Sequence, residues 1–142
     1  MRPSPISTST QSPASGRPTV ERCLNDAGIV RHRGKIEAVV NNAQRALELV
    51  NEVGSLARFV WQYEPPPERR PARVDLATLM GMSKTQESIA LSKALRKRGW
   101  SFVGPTTVYA FMQAMGLVND HLTGCACRNA VEAERASLVR PV

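Results

Sequence analysis

The sequence predicts an all-α fold, and three observations support that prediction. Apolar residues recur at helical spacing between residues 36 and 50. A second apolar stripe of the same spacing runs through Val108 and Met112. The glycine-bounded stretch 99–104, which separates two helical segments, is too short for a pair of strands. At 142 residues the chain has room for one domain.

The first 18 residues have the composition of a disordered tail. Twelve of the first nineteen residues are Ser, Thr or Pro, and no acidic residue precedes Glu21. Such a stretch cannot bury enough apolar surface to offset its ordering entropy. A transit peptide is the alternative, but the prolines of this stretch oppose the amphipathic helix that it requires. We therefore expect order to begin near Thr19, as the N-cap of a short helix that runs to Leu24.

The most regular helical pattern begins at Lys35. Polar residues occupy one face, and the other face carries Ile36, Val39, Val40, Ala43, Leu47 and Val50. A further short helix, capped by Ser55, carries Leu56, Phe59 and Val60 and ends before the prolines at 65–67. Residues 65–83 are predicted to form a loop, which Leu76, Leu79 and Met80 would anchor to the core.

A helical hairpin is predicted over residues 85–116. Its first helix ends at Gly99, and its buried candidates are Ile89, Leu91, Ala94 and Leu95. Pro105 suits the first position of the second helix, whose apolar stripe is Val108, Phe111, Met112 and Met115. Residues 129–142 lack an apolar period and are expected to form a flexible C-terminal tail.

The turn of this hairpin has the residues of a phosphate-binding site. Glycine lets backbone N–H groups point outward beside a helix amino terminus, which suits an anion. Gly104 and the amides after it would bind the phosphate, and the hydroxyls of Thr106 and Thr107 would add donors. Residues 83–104 hold five Lys or Arg and one Glu, and Lys97 and Arg98 are among the five. The alternative is an ordinary αα-turn with a solvated basic face.

His121 and Cys125 have the spacing H-x3-C, and an imidazole with a thiolate is half of a tetrahedral zinc set. Cys127, Cys23 and His32 are the other residues that would have to complete four ligands. The alternative is a partly buried histidine with free thiols. Three cysteines, two of them one residue apart, suit reduced thiols or metal ligands better than a disulfide framework.

Charge and hydropathy point to an intracellular partner that is a polyanion. The net charge is +7, with 19 Lys or Arg against 12 Asp or Glu. A basic loop at residues 31–35 precedes a helix, where cations are disfavoured by the helix dipole, so the loop indicates contact with an anion. The alternative is a loop that is simply solvated. The absence of an 18-residue apolar run and of a signal peptide core predicts a cytoplasmic protein without a membrane span. No nucleotide-binding loop, nucleophile elbow or HExxH motif is present.

Three segments resemble DNA-3-methyladenine glycosylase I, a family of the helix-hairpin-helix DNA glycosylase superfamily. They are DAGIVRHRGKI at 26–36, LSKALRKRG at 91–99 continuing into FVG at 102–104, and FMQAMGLVNDH at 111–121. They occur in the order and with the gaps of the family. The resemblance covers about Val20 to Cys127 and corresponds to the later part of the family's chain.

The resemblance implies a helical glycosylase fold, truncated at its amino end, with a partial domain at 19–128. It also implies an enzyme that hydrolyses the glycosidic bond of 3-methyladenine in alkylated double-stranded DNA, for base excision repair. His121 and Cys125 correspond to two of the family's zinc ligands, and Gly104 with its neighbours to the DNA-binding hairpin. The family's acidic residue, most of its pocket aromatics and its other two zinc ligands have no counterpart here, so no catalytic residue is assigned.

We therefore expect a monomer with little or no glycosylase activity by itself and no tightly held zinc. The alternative is a catalytically inactive remnant that binds DNA without sequence preference. A third possibility is a fragment that does not fold stably alone, because a missing helical layer would leave Val39, Val40 and Phe59 exposed.

Overall fold

The computed structural model describes residues 16–71 and 73–141, and in these residues every regular element is a helix. The α-helices are α1 (Gly16–Leu24), α2 (Arg33–Val53), α3 (Leu56–Trp61), α4 (Leu76–Met80), α5 (Gln86–Lys97), α6 (Pro105–Ala114) and α7 (Ala126–Ser137). A 3₁₀ turn, Pro67–Arg69, lies between α3 and α4. The prediction of an all-helical fold is confirmed for these residues.

One core holds α2, α3, α5 and α6 together. Its buried side chains are Leu49, Phe59, Val60, Leu91, Leu95, Val108, Met112 and Leu117. Leu91 of α5 and Met112 of α6 are completely buried, so the two helices of the hairpin are held by apolar contacts rather than by the turn alone. Phe59 is buried, and Val39 is 68% exposed. Of the side chains expected to be exposed in a fragment, Val39 is therefore exposed, whereas Phe59 belongs to the core.

The buried face of α2 differs from the predicted one. Val39 and Leu47 are exposed, and the buried residues are Ala38 and Leu49. The reason is that three polar side chains, Asn41, Asn42 and Arg45, are half-buried and face the rest of the protein. A prediction from apolar spacing assigns such residues to solvent. The predicted buried face is therefore displaced by about one residue from the observed one.

Other predicted apolar positions also differ in detail. Ile89 is 45% exposed, and the tightly packed residues of α5 include Ser88 and Ser92 beside Leu91 and Leu95. In α6, Phe111 and Met115 are partly exposed, and Tyr109 is buried instead. The Tyr109 hydroxyl donates to Asp120, which satisfies the one polar group that burial would otherwise leave unpaired.

The connection before α5 is anchored by Val74, not by Leu76 or Met80, which remain exposed.

Both predicted tails need correction where the structure describes them. Residues 1–15 lie outside the described residues, but α1 begins at Gly16, so Thr19 lies inside the helix. Pro18 is tolerated there because the first amides of a helix have no partner within it. The flexible tail predicted at 129–142 is largely helical, since α7 extends to Ser137.

Glu64 attaches α7 to the rest of the fold. The guanidinium groups of Arg70, Arg135 and Arg140 all contact its carboxylate, at 3.0, 2.8 and 2.9 Å. Arg135 also donates to the carbonyl of Gly116 and is 5% exposed. A charged anchor of this kind leaves no apolar period in the sequence, which is why residues 129–137 were not predicted to be ordered.

We expect acid to weaken this anchor. Burial disfavours the charged form of Glu64, but the hydrogen bond from Arg140 and the three arginine charges outweigh it, so its pKa is lowered. A carboxyl group whose pKa is lowered in the folded state stabilises the fold at any pH above its ordinary pKa of 4.5. That contribution is lost as the pH falls through the folded-state pKa.

At pH 7, Glu64→Gln should lower the free energy of unfolding by ~1.5–3 kcal/mol, because it leaves the buried Arg135 and the half-buried Arg70 and Arg140 without their anion. The difference from the unmodified chain should shrink below about pH 4.5, as urea unfolding followed by circular dichroism would show. Glu68→Gln, at an exposed carboxylate, is the matched control. An equal loss in both variants, or a difference independent of pH, would exclude the anchoring role.

Candidate nucleic-acid interface

The α5–α6 turn, residues 98–104, is built by glycine and a left-handed backbone. Gly99 has a φ of 80°, and the amide of Trp100 returns to the carbonyl of Leu95 at 3.1 Å, which ends α5. Phe102 has a φ of 57°, a left-handed conformation that is uncommon for a residue with a side chain. The chain therefore reverses within a few residues, and α6 begins directly at Pro105.

Gly104 is the N-cap of α6, with φ −63° and ψ 157°, and no side chain caps this helix. Pro105 has no N–H, and the described residues supply no hydrogen-bond acceptor to the amides of Gly104, Thr106 and Thr107. Both threonines are exposed. Unpaired amides at the positive end of a helix dipole are suited to an anion, so the predicted phosphate-binding groups are brought together here.

The predicted basic residues beside this turn are not equivalent. Lys97, the last residue of α5, is exposed. Arg98 is not available in the same way, because both its terminal nitrogens bond to Glu52 and its guanidinium lies 5.2 Å from the centre of the Phe59 ring. The hydrogen bond with Glu52 raises the pKa of Arg98. Arg98 therefore joins α5 to α2 and α3.

Arg96, which was not among the predicted site residues, lies closest to the N-cap. Its Nη2 is 3.6 Å from the position that a Cβ on Gly104 would occupy. The side chain is exposed and has no ion-pair partner among the described residues. Spacing along the sequence could not reveal this proximity, since the turn between residues 96 and 104 has no regular period.

The basic loop at 31–35 lies next to the same turn. His32 caps α2 by accepting the amide of Lys35 at 3.1 Å, and its ring meets the Phe102 ring edge-on, with centres 6.2 Å apart. Arg33 pairs with Glu21 at 2.9 Å, so its charge is partly neutralised. Arg31 and Lys35 are exposed. Cations from two separate segments therefore flank the turn.

A pocket of about 450 Å³ lies between α6, α7 and the connection that precedes α5. Its walls include Tyr109, Asp120 and Glu132. Tyr109 is only 4% exposed, and its hydroxyl is bonded to Asp120, so its ring face is not available for stacking. Burial, together with this bond, raises the pKa of Tyr109. Among the described residues, Tyr109 is the one aromatic side chain in this wall, so the pocket offers little to hold a flat base.

His121 and Cys125 are the predicted metal ligands, and the structure brings them close together. Nδ1 of His121 is 3.8 Å from Sγ of Cys125. Cys23, Cys127 and His32 do not join them, since no group of three potential ligands occurs in the described part of the chain. In the same part, no helix has the length and apolar character needed to cross a membrane.

Comparison with known proteins agrees with these features. The model of the methyladenine glycosylase family matches residues 13–129. DNA-3-methyladenine glycosylase 1 of Escherichia coli K12 is 48% identical over 109 residues, which are 76% of this chain and 57% of that protein. DNA-3-methyladenine glycosylase of Haemophilus influenzae is 42% identical over 112 residues, 78% of this chain and 59% of that protein. The chain thus spans under two thirds of these relatives' length.

Solved structures show the same relationship. A crystal structure of 3-methyladenine DNA glycosylase I superposes with a TM-score of 0.73 at 45% identity, covering 82% of this chain and 63% of that one. The Staphylococcus aureus enzyme, whose structure describes 3-methyladenine recognition, gives a TM-score of 0.69 at 32% identity, over 79% of this chain and 58% of that one. The family match, the identities and the shared helical fold agree, and the chain belongs to the methyladenine glycosylase family.

Proposed function

We propose that this chain is the part of a 3-methyladenine DNA glycosylase that binds the phosphate backbone of double-stranded DNA, using α5, the α5–α6 turn and α6 as a helix-hairpin-helix motif. The observation that supports this most is the set of unpaired amides at Gly104, Thr106 and Thr107, at the amino end of α6. Their N–H groups and the helix dipole favour one phosphate oxygen. Arg96 and Lys97 add positive charge beside them.

Binding of this kind carries no sequence information. Backbone amides and the charges of lysine and arginine contact phosphates, which are the same at every base pair. We therefore expect affinity to depend strongly on salt and hardly at all on DNA sequence. For an enzyme that must find rare damaged bases, such contacts would hold the duplex while other groups examine the base.

The test is Gly104→Asp. A Cβ at this position would be 3.6 Å from its nearest neighbour, which is an ordinary contact, and φ is negative. Aspartate is a favourable N-cap, so its carboxylate should accept the amides of Thr106 or Thr107 without destabilising α6. It would then occupy the phosphate site and repel DNA. We expect the dissociation constant for duplex DNA to rise at least about tenfold, with an unchanged or higher melting temperature.

Gly81→Asp is the matched control, because it adds the same group outside the turn and without steric conflict. Fluorescence anisotropy with a labelled duplex at several salt concentrations provides the measurement. Binding by the unmodified chain that is insensitive to salt, or an equal loss in both variants, would rule out the hairpin as the contact.

We further propose that His121 and Cys125 supply two of four ligands to a zinc ion. Zn–S and Zn–N bonds of ~2.3 and ~2.0 Å at a tetrahedral angle place the two ligand atoms ~3.5 Å apart, close to the 3.8 Å found. Both side chains fit such an ion, which when bound would hold the loop before α7 to the amino end of that helix.

Two ligands alone should hold zinc weakly, because structural zinc sites are closed by four. After zinc loading and gel filtration in metal-free buffer, the 142-residue chain should retain well below one equivalent by mass spectrometry of the metal. One equivalent that disappears in Cys125→Ser would contradict this, and would mean that further residues of the chain complete the site. His32→Ala is a suitable control, since His32 caps α2 instead.

A further inference from the structure

Two asparagines of α2 hydrogen-bond the backbone of the α5–α6 turn. Asn42 makes a reciprocal pair with Ser101: its Nδ2 donates to the Ser101 carbonyl at 2.9 Å, and its Oδ1 accepts the Ser101 amide at 2.9 Å. Asn41 donates to the carbonyl of Gly99 at 2.9 Å. The partners are 58 or 59 residues apart in the sequence, so the contact belongs to the tertiary fold.

These bonds fix the peptide groups that precede Phe102. On the other side, Ser92 Oγ, which is buried in α5, donates to the carbonyl of Val103 at 2.6 Å. Phe102 lies between the two attachment points in the left-handed conformation, with its side chain 56% exposed. Phe102 is more than half exposed and its ring has the edge-on contact with His32, so the hydrogen bonds on either side of it are the main restraint on that conformation.

The direction of the following amides depends on the same restraint. Gly104 and Thr106 come two and four residues after Phe102, and a change in the left-handed φ would redirect every N–H group up to the start of α6. The side chains of Asn41 and Asn42 make no hydrogen bond to the N-cap of α6 among the described residues. Any effect that they have on an anion at that N-cap must therefore pass through the turn.

We propose that Asn42 is a positioning residue for DNA binding: its reciprocal bonds with Ser101 hold the turn so that the amides of Gly104, Thr106 and Thr107 face the phosphate. This inference rests on the proposed function. It adds that the geometry of the phosphate site is set from α2, a helix that contributes none of these amides itself.

The test compares Asn42→Ala with Gln44→Ala, a matched removal of an exposed amide two residues further along α2. Asn42→Ala should raise the dissociation constant for duplex DNA about tenfold, and Gln44→Ala should leave it unchanged. If Asn42 acts through the turn, Asn42→Ala should cause little further loss when Gly104→Asp is already present. A purely structural residue would lower the melting temperature without this dependence on Gly104.

Nuclear magnetic resonance gives a readout that needs no DNA. The amide signals of Gly104, Thr106 and Thr107 should shift in Asn42→Ala and stay in place in Gln44→Ala. Asn42→Asp, which keeps the acceptor for the Ser101 amide, serves the same measurement if Asn42→Ala does not fold. The positioning role would be overturned if the amide signals did not move, or if Asn42→Ala left the dissociation constant for DNA unchanged. It would also be overturned if the affinity losses of Asn42→Ala and Gly104→Asp were additive. Failure of the unmodified chain to bind DNA would sink the proposed function, and the amide signals alone would then decide whether Asn42 orients the turn.

Discussion

The purified 142-residue chain should release 3-methyladenine from alkylated duplex DNA at least about 1,000-fold more slowly than the Escherichia coli relative. A methylated purine is cationic, and an enzyme that removes it holds the flipped base against aromatic faces and a carboxylate. In the described residues the pocket of about 450 Å³ offers one aromatic ring, Tyr109, which is 4% exposed and bonded to Asp120. Loss of even one preorganised group costs a factor of ~10²–10³ in rate, and among the described residues this pocket offers no exposed aromatic face to hold the base.

The released base is measured by chromatography, with the two proteins compared under conditions in which equal fractions of each are bound to DNA. A slow release under these conditions reflects poor catalysis and not poor binding. A rate within about tenfold of the relative would contradict the prediction. If such activity were found, Asp120→Asn should be examined next, because Asp120 is the carboxylate nearest to an aromatic ring in this pocket. A variant that then lost activity would show that the pocket itself receives the base.

Leu91→Ala should destabilise the chain by ~2–5 kcal/mol, the range found when a fully buried leucine leaves a cavity. Leu91 is 0% exposed and belongs to the core that joins α5 to α6, so the substitution removes packing on which the hairpin depends. Since a small domain has only ~5–15 kcal/mol of stability in total, the variant should melt at a clearly lower temperature, and DNA affinity should be lost where it unfolds.

Leu47→Ala is a control of the same chemistry, because Leu47 is 64% exposed on α2. Its effect on the free energy of unfolding should stay within ~0.5 kcal/mol. Urea unfolding of both variants gives the comparison. Equal losses at the two positions would mean that Leu47 is also buried in solution, for instance against a second molecule, and the stripe of exposed apolar residues on α2 would have to be reinterpreted.

Local sequence signals predicted the hairpin well. The first helix was predicted from about residue 85 and α5 begins at Gln86, and Pro105 starts α6 as its residue type indicates. Each of these depends on backbone chemistry within a few residues, which is why a sequence can reveal it. Lys97 is an exposed cation beside the turn, and its role in DNA binding stays a prediction, whereas no local pattern indicated that Arg98 would be bound to Glu52.

Long-range polar contacts were not predictable in the same way. Glu64 attracts three arginines, two of them from the segment that was expected to be a flexible tail. No spacing rule links Glu64 to Arg135, because the two residues become neighbours only when α7 docks. His121 and Cys125 are four residues apart and meet across the non-helical turn before α7, while the remaining zinc ligands cannot be located from spacing.

By itself the sequence determined that the chain is helical, where most helices begin and end, and which family it belongs to. These properties follow from short-range propensity, from capping and from motifs that are contiguous in the chain. Only the tertiary structure decided which face of α2 is buried and which cations stay free beside Gly104. The physical reason is that Asn41, Asn42 and Arg98 find partners 46 or more residues away, and a polar side chain with such a partner can be buried as favourably as an apolar one.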